Sequence, residues 1–180
     1  MKRYYVAKMN KTIGFVLTLM VATICGSLYA LYIQKDNYDI LITINSCLIV
    51  KGIDLNHFEV FKNSFFIYLK QLGVVWIATL NSFTIPIVFI IFFAIVFSYS
   101  FTASCLIMIY GIQGILLSIK LFGVQAAVII LLIIYVGSNN TIFTNGLKKD
   151  NKTSNITNIV IILVVISAIS LLDEYVFLFI

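Results

Sequence analysis

The stretch IPIVFIIFFAIVFSYSFTASCLIMIY, residues 85–110, contains no charged side chain and decides the class of fold. It belongs to a longer run, from Leu72 to Leu147, in which Lys120 is the single charged residue. About 20 consecutive apolar residues are enough to cross the hydrocarbon core of a bilayer. A run of this length therefore has to be divided into several membrane-spanning helices.

The composition of the whole chain agrees with that conclusion. Of its 180 residues, 62% are hydrophobic and 11% are charged, whereas a soluble domain carries about 25% charged residues. A soluble domain of this size could not hide so much apolar surface from water. We therefore predict one all-α domain over residues 1–180, a polytopic membrane helical bundle whose main partner is lipid.

The positions of the basic residues predict how the bundle is oriented. One basic group precedes the first apolar run and another lies in a short polar gap before the last one: Lys2, Arg3, Lys8 and Lys11, then Lys148, Lys149 and Lys152. Such groups hold flanking segments in the cytoplasm. A nucleic-acid partner would require basic residues clustered with aromatics on a folded face, so we predict none.

A long polar loop, about residues 34–62, follows the first apolar run. These signals require an odd number of membrane crossings between that loop and the basic gap at residues 148–152. We predict five transmembrane spans over about residues 12–33, 64–83, 86–109, 123–144 and 156–172, with a cytoplasmic N-terminus and an extracytoplasmic C-terminus. The first run also resembles a signal peptide, but it is longer than the usual 7–15-residue apolar region, and we expect it to be retained.

The connections between these spans carry predictions of their own. The outer loop covers about residues 34–62, and an aromatic stripe beginning at Phe58 predicts an extracytoplasmic amphipathic helix that runs into the second span. Pro86 is expected in the first turn of a helix, where its missing N–H costs nothing. We expect a bent outer segment from Gly111 through Gly114 to Gly123.

The sequence shows no pattern typical of enzymes. His57 is the only histidine, and the three cysteines, Cys25, Cys47 and Cys105, lack paired metal-type spacing. No nucleotide-binding or metalloprotease motif occurs. We therefore predict that the chain is not an enzyme and has no catalytic, cofactor-binding or metal site.

Three ionisable residues lie close to membrane depth: Lys120, Asp173 and Glu174. Intramembrane charges are by default a functional hypothesis. The alternative, which the predicted topology favours, places all three at the outer interface, with the Lys120 ammonium reaching water. In that position Lys120 would have one of the two carboxylates as an ion-pair partner.

Small hydroxyl residues form a patch on the third predicted span. Ser98 and Thr102 are four residues apart, as are Ser100 and Ser104. This spacing lets helix backbones approach closely in lipid, where packing replaces the hydrophobic driving force. Helix packing is the favoured interpretation, and a hydroxyl-lined substrate path is the alternative.

Several short elements recur in a recognisable order between about residues 58 and 176. In chain order they are Asn63, Leu72-Gly73-Val74-Val75-Trp76, Ile85-Pro86-Ile87, Phe101-Thr102, Gly111-Ile112-Gln113-Gly114-Ile115-Leu116-Leu117-Ser118, Gln125 and Ser170-Leu171-Leu172-Asp173-Glu174-Tyr175-Val176. Their order and spacing, more than any rare residue, resemble the stage II sporulation protein M family of endospore-forming bacteria.

The chain also departs from that family. Thr84-Ile85 stand where a glycine usually precedes the proline, and family glycines of the following helix are replaced by Val96, Ser100 and Ser104. Of a Pro-Gln-Asn element only Gln125 remains. These losses put in doubt any role that the missing proline and asparagine carry in the family.

The resemblance implies a five-helix membrane anchor that acts during engulfment of the forespore. It would hold two peptidoglycan hydrolases, stage II sporulation proteins D and P, at the mother-cell septal membrane, and hydrolysis would belong to those partners. A small transporter or permease component is the alternative, because the glycine-bracketed segment from Gly111 to Gly123 is a candidate re-entrant element. An assembly factor unrelated to sporulation is a third possibility.

The five-span topology makes a direct prediction. A cysteine introduced at position 174 should be labelled by an impermeant reagent from outside the cell, whereas one at position 150 should react only after permeabilisation, because basic loops stay inside. External labelling at position 150 would contradict the topology.

Overall fold

The computed structural model describes residues 2–36, 57–79, 84–139 and 151–178, with side chains over 11–34, 58–79, 84–137 and 160–173. Within these ranges the backbone is helical and has no strand, which confirms the all-α prediction for the part described. The elements are α1 (Lys2–Asp36), α2 (His57–Thr79), α3 (Ile85–Tyr110), α4 (Ile112–Ser118), a π-helical segment (Ile119–Gly123), α5 (Val124–Asn139) and α6 (Asn151–Leu178).

Three of the described helices are long and apolar enough to cross a membrane. They cover Lys11–Gln34, Ile85–Tyr110 and Ile112–Gly137, and α6 adds a shorter apolar stretch, Val160–Asp173. The chain is thus a multi-pass membrane protein in its coarse architecture. The other two predicted crossings are not established by length and composition. Most of the predicted outer loop, about residues 34–62, lies outside the described residues.

The predicted bent outer segment between Gly111 and Gly123 is wrong in form. The chain turns at Gly111 alone, which adopts φ +60° and donates its N–H to the Ile107 carbonyl at 2.8 Å. Glycine adopts such a backbone conformation at little cost. From Ile112 the chain is helical through the π-helical segment and into α5. A continuous helix keeps its backbone hydrogen bonds satisfied in lipid, which an open segment would not.

Gly114 lets α4 fold back against the end of α3. A Cβ at this position would lie 2.8 Å from the Ile107 Cα and closer still to the Leu106 carbonyl. No side chain can occupy that space without moving backbone. Gly111 supplies the turn and Gly114 supplies the close contact, so the two predicted glycines have distinct roles.

Pro86 lies where the sequence predicted it, at the beginning of α3. The first residues of a helix have no intrahelical partner for their N–H groups, so a proline there removes no hydrogen bond. The helix that follows runs for 26 residues to Tyr110. Its boundaries differ by one residue at each end from the predicted span over 86–109.

One apolar core joins the major helices. Phe15 is its most connected aromatic residue, with ring centroids 4.5 Å from Phe89 and 5.3 Å from Phe92, and its ring also lies against Gly137, where an added Cβ would be 2.7 Å from the Phe15 Cε2. The buried members of the core are Phe15, Ala22, Tyr68, Leu72, Val75, Val88, Phe92, Ile95, Val96, Ile129, Leu132, Ile133, Val136, Ile162, Ile166 and Ile169.

Helices α1 and α3 pack closely along their length. Small residues recur every fourth position along one face of α1, at Gly14, Thr18, Ala22, Gly26 and Ala30. At Gly26 an added Cβ would lie 2.8 Å from the Phe97 carbonyl oxygen and 2.9 Å from the Ser100 Cβ. This is the close backbone approach that small-xxx-small patterns permit in membranes.

The contact pairs also give the directions of the helices. Gly14 lies against Phe89, Gly26 against Ser100, and Ala30 packs with Cys105, so α1 and α3 run parallel. Between α3 and the following helix the order reverses, because Gly114 contacts Leu106 and the Phe122 ring stacks on Tyr99 at 6.0 Å. The helix from Ile112 to Asn139 therefore returns antiparallel to α3.

Two serines on α3 provide a matched test of this packing. Ser100 faces α1, where its hydroxyl donates to the Thr23 carbonyl at 2.8 Å, whereas Ser98 is exposed and donates to Ala94 of its own helix. Ser100→Leu should lower the free energy of unfolding by about 1–3 kcal/mol through overpacking. Ser98→Leu should leave it nearly unchanged.

The measurement is the unfolding midpoint in mild detergent titrated with a denaturing one. Ser100→Ala should cost only about 0.6 kcal/mol, the average for an interhelical hydrogen bond in lipid. If Ala were as harmful as Leu, a polar role for the patch would replace the packing role.

Candidate functional site

A buried carboxyl group on α6 is the most unusual polar feature of the described chain. Asp173 is only 8% exposed. The hydroxyl of Tyr68, on α2 and equally buried, donates to Asp173 Oδ2 at 2.7 Å. Ser64, one helical turn before Tyr68, directs a second hydroxyl at the same carboxyl. Among the described residues, Asp173 Oδ1 has no hydrogen-bond partner.

The electrostatic neighbours of this group include Tyr99 on α3. Tyr99 is 14 residues after the beginning of α3 and 11 before its end, or about 21 Å and 16 Å along the axis at 1.5 Å per residue. The middle of this candidate membrane span is therefore within electrostatic reach of Asp173.

The predicted position of Asp173 at the outer interface stays a prediction, but the structure shows that its side chain is buried within the bundle. The prediction ended the last span at residue 172, whereas α6 continues through Asp173 to Leu178. Tyr68 and Ser64 of α2 contact the carboxyl group. A sequence window cannot detect this contact, because Tyr68 is 105 residues away in the chain.

Lys120 lies in the π-helical segment and its side chain is exposed. This segment packs against α6, so Lys120 and the end of α6 are on neighbouring elements. Asp173, however, takes tyrosine and serine hydroxyls as its partners, and the side chain of Glu174 lies outside the described residues. The ion pair of Lys120 with one of these carboxylates stays a prediction.

The hydroxyl patch divides into two faces. Ser98 and Thr102 are on the outer side of α3 and bond to carbonyls of their own helix, Ala94 and Ser98 respectively, at 2.9 Å. Ser100 bonds across to α1, both to the Thr23 carbonyl and, at 3.3 Å, to the Ser27 hydroxyl. Ser104 is half-buried.

A shallow open groove of about 240 Å³ lies between α1, α3 and the π-helical segment. Its polar lining groups include Thr23, Tyr99, Ser100 and Ser118, and the remainder of its wall is mainly apolar. Ser118 is buried and donates to the Ile115 carbonyl at 2.8 Å. The groove thus has few polar groups that are not already bonded.

Gln125 is 6% exposed and lies on the inner face of α5. Its burial gives this position a structural role, although the side chains that would stand at the family's proline and asparagine positions are Val124 and Ala126. Two further buried polar atoms on α2, Gln71 Oε1 and Trp76 Nε1, have no hydrogen-bond partner within the described part of the chain.

Within the side chains that the structure describes, no three His, Cys, Asp or Glu residues lie together as a metal site would require. Cys25 and Cys105 are free thiols there, and Cys105 is fully buried beside Ala30. Among the described side chains, Asp173 is the one carboxyl group that is buried.

Sequence reasoning identified Asp173 but missed Tyr68 as its partner. Tyr68 belongs to the predicted stripe that begins at Phe58 (Phe58, Phe61, Phe65, Tyr68 and Leu72), and that pattern assigns it no partner. The signal available was that Ser64, Tyr68 and Gln71 share one face of α2. A polar row on a helix that otherwise enters lipid requires a polar partner on another helix.

The comparisons with known proteins give no relative: the chain matches no protein-family model, no curated protein and no solved structure. Inference about function therefore depends on the residues and on their arrangement.

The contact between Tyr68 and Asp173 predicts a stability effect. Tyr68→Phe keeps the ring but removes the donor from a buried carboxyl group, which should lower the free energy of unfolding by about 1–3 kcal/mol. Tyr32→Phe, on the exposed face of α1, is the matched control and should be neutral. Equal unfolding midpoints for the two variants would show that the hydrogen bond contributes nothing to the fold.

Proposed function

We propose that the chain is a non-enzymatic membrane scaffold of endospore formation, which anchors a peptidoglycan-hydrolase complex during septal wall thinning and engulfment. Its partners are hydrolases of the stage II sporulation protein D and P type. It resides in the mother-cell septal and engulfing membrane. In this proposal it has five spans, a cytoplasmic N-terminus and an extracytoplasmic C-terminus.

The observation that carries this proposal is where the family-like residues lie in the fold. Pro86 begins α3, Gly111 makes the turn after it, and Gly114 allows the close return of the chain. Gln125 and Asp173 are both buried. These five residues belong to the pattern that resembles the sporulation family, and they occupy the helix start, the turn, the close contact and two buried positions of the bundle, which supports a common fold. The function follows from that resemblance.

One departure from the family pattern has a physical compensation. Ser100 stands where the family has a glycine, and it lies at the closest approach of α1 and α3. Gly26 on the opposing helix leaves the space that Ser100 fills. The loss of a small residue on one helix is therefore balanced by a glycine on the other, and close packing is preserved.

The described bundle also supports a role in assembly more than one in chemistry. Many of the hydroxyl groups inside it bond to helix backbones, as Thr18, Ser118 and Ser170 do. In the proposal, the outer loop of about residues 34–62 is the docking surface, and the hydrolytic groups belong to the partners.

A small transporter or permease component is the second candidate. The observation that favours it is the π-helical segment at Ile119–Gly123, beside the groove and close to α6. Single-turn π segments are frequent at functional sites, and broken helices line the substrate sites of many transporters.

Co-purification distinguishes the two candidates. The tagged chain, isolated from sporulating cells in mild detergent, should bring down peptidoglycan hydrolases identified by mass spectrometry. Recovery of a nucleotide-binding ATPase subunit in place of hydrolases would favour the permease and contradict the scaffold.

Two glycines offer a matched control for that experiment. Gly26→Leu inserts a side chain between α1 and α3 and should reduce the recovered hydrolases, because the bundle that presents the docking surface is disturbed. Gly73→Leu adds the same side chain on α2 where nothing lies within 4 Å of the new Cβ. It should leave recovery unchanged. Full recovery with both variants would mean that docking does not depend on the bundle.

A further inference from the structure

The carboxyl group of Asp173 has an incomplete set of partners. Tyr68 donates to Oδ2 at 2.7 Å, while Oδ1 accepts no hydrogen bond from the described residues. The side chain is more than nine-tenths buried between α2 and α6. A buried polar oxygen without a partner is rare in folded proteins and requires an explanation.

The ionised form of this group would be poorly matched to its site. A carboxylate transferred from water to an apolar interior loses its hydration, and it normally becomes neutral unless charges or several hydrogen bonds replace that hydration. The hydroxyls of Tyr68 and Ser64 replace part of it on one side. Nothing described replaces it at Oδ1.

Within the described part of the chain, few other titratable groups lie near Asp173. Tyr68 approaches from α2, and Tyr99 from α3, and both are neutral hydroxyl groups that carry a negative charge only when deprotonated. Lys120 belongs to the π-helical segment that packs on α6, and its side chain reaches the exterior of the bundle. Glu174 follows Asp173 on α6. These groups decide whether the carboxyl is held as an anion or as an acid.

We propose that Asp173 is an intramembrane proton-binding site, in which Oδ1 carries an exchangeable proton while Oδ2 accepts from Tyr68. The ligand is thus a proton, taken from water and returned to it. The site is independent of the scaffold function, since it follows from burial and hydrogen bonding alone. It explains how a buried carboxyl group is tolerated between packed helices.

Release of that proton has a structural consequence. It leaves a negative charge between Tyr68 on α2 and the body of α6, and both helices contribute to the same apolar core through Leu72 and Ile169. Water must then enter this contact or the helices must separate slightly. Proton binding at Asp173 thus stabilises the packing of α2 on α6.

A membrane-soluble carbodiimide tests the proposal, because it reacts with protonated carboxyl groups. The acid's proton moves to a carbodiimide nitrogen while the carboxyl oxygen bonds to the central carbon, and the acyl group of the resulting O-acylisourea migrates from oxygen to nitrogen to give a stable N-acylurea with no leaving group. The full chain in phosphatidylcholine vesicles would be treated with dicyclohexylcarbodiimide at a series of pH values. Peptide mass spectrometry then separates modification of Asp173 from that of Glu174.

Asp173 should be modified, and its rate should fall about tenfold for each pH unit once most of the proton is released. Asp173→Asn should lose the adduct at this position. Tyr68→Phe removes a hydrogen-bond donor that favours the ionised form of Asp173. In that variant Asp173 should therefore be modified up to a higher pH, whereas Tyr32→Phe should match the native chain. The shift with Tyr68→Phe is a readout that a purely structural contact would not give.

Two results would overturn the proposal. One is an absence of modification at Asp173 at every pH, since the group would then be held as an anion. The other is equal modification by a water-soluble carbodiimide with an amine nucleophile, since the carboxyl would then be open to water. Lys120→Gln completes the test. A marked increase in modification would show that Lys120 neutralises an ionised Asp173, whereas an unchanged rate supports a protonated Asp173.

Discussion

In lipid, two helices gain nothing by burying apolar side chains against each other, so α1 and α3 associate only where their backbones come close enough for dispersion forces to add up. The small residues of α1 provide that approach. Gly26 is the point where it is tightest, with no room for a Cβ beside Phe97 and Ser100. The other helices are arranged around this pair: Phe15 extends from it to Gly137 on α5, and Phe92 extends from it into the common core.

The same parallel pair organises the polar interior. Because α1 and α3 run in one direction, the chain returns between them, and Gly111 then reverses it sharply after α3. The π-helical segment and α5 are thereby brought beside Tyr99, and α6 is brought beside Tyr68. The buried carboxyl group of Asp173 is a product of this arrangement, since its hydrogen-bond donors come from α2. A scaffold and a proton-binding site are compatible in one bundle, because the first uses its surface and the second its interior.

Prediction from sequence was most accurate where the physics is local. Long runs without charged residues predicted the apolar helices, and the lone proline was placed at the beginning of α3. The glycines at 111 and 114 were correctly associated with a change of direction. The bent outer segment predicted from Gly111 to Gly123 turns at Gly111 and is helical beyond it, and nothing in hydropathy distinguishes a bent apolar segment from an apolar helix. The small-residue face of α1 was available in the four-residue spacing of Gly14 through Ala30, yet its partner could be found only in three dimensions.

What the sequence by itself determined is the class of molecule: an all-helical, multi-pass membrane protein, whose charges are too few for a soluble fold and whose basic residues flank apolar runs. The tertiary structure alone decided which hydroxyl faces lipid and which faces a helix, as the contrast of Ser98 with Ser100 shows. It also decided the environment of Asp173. The physical reason is that hydropathy is a property of each residue and its neighbours in sequence, whereas burial, hydrogen bonding and protonation depend on atoms that distant helices bring together.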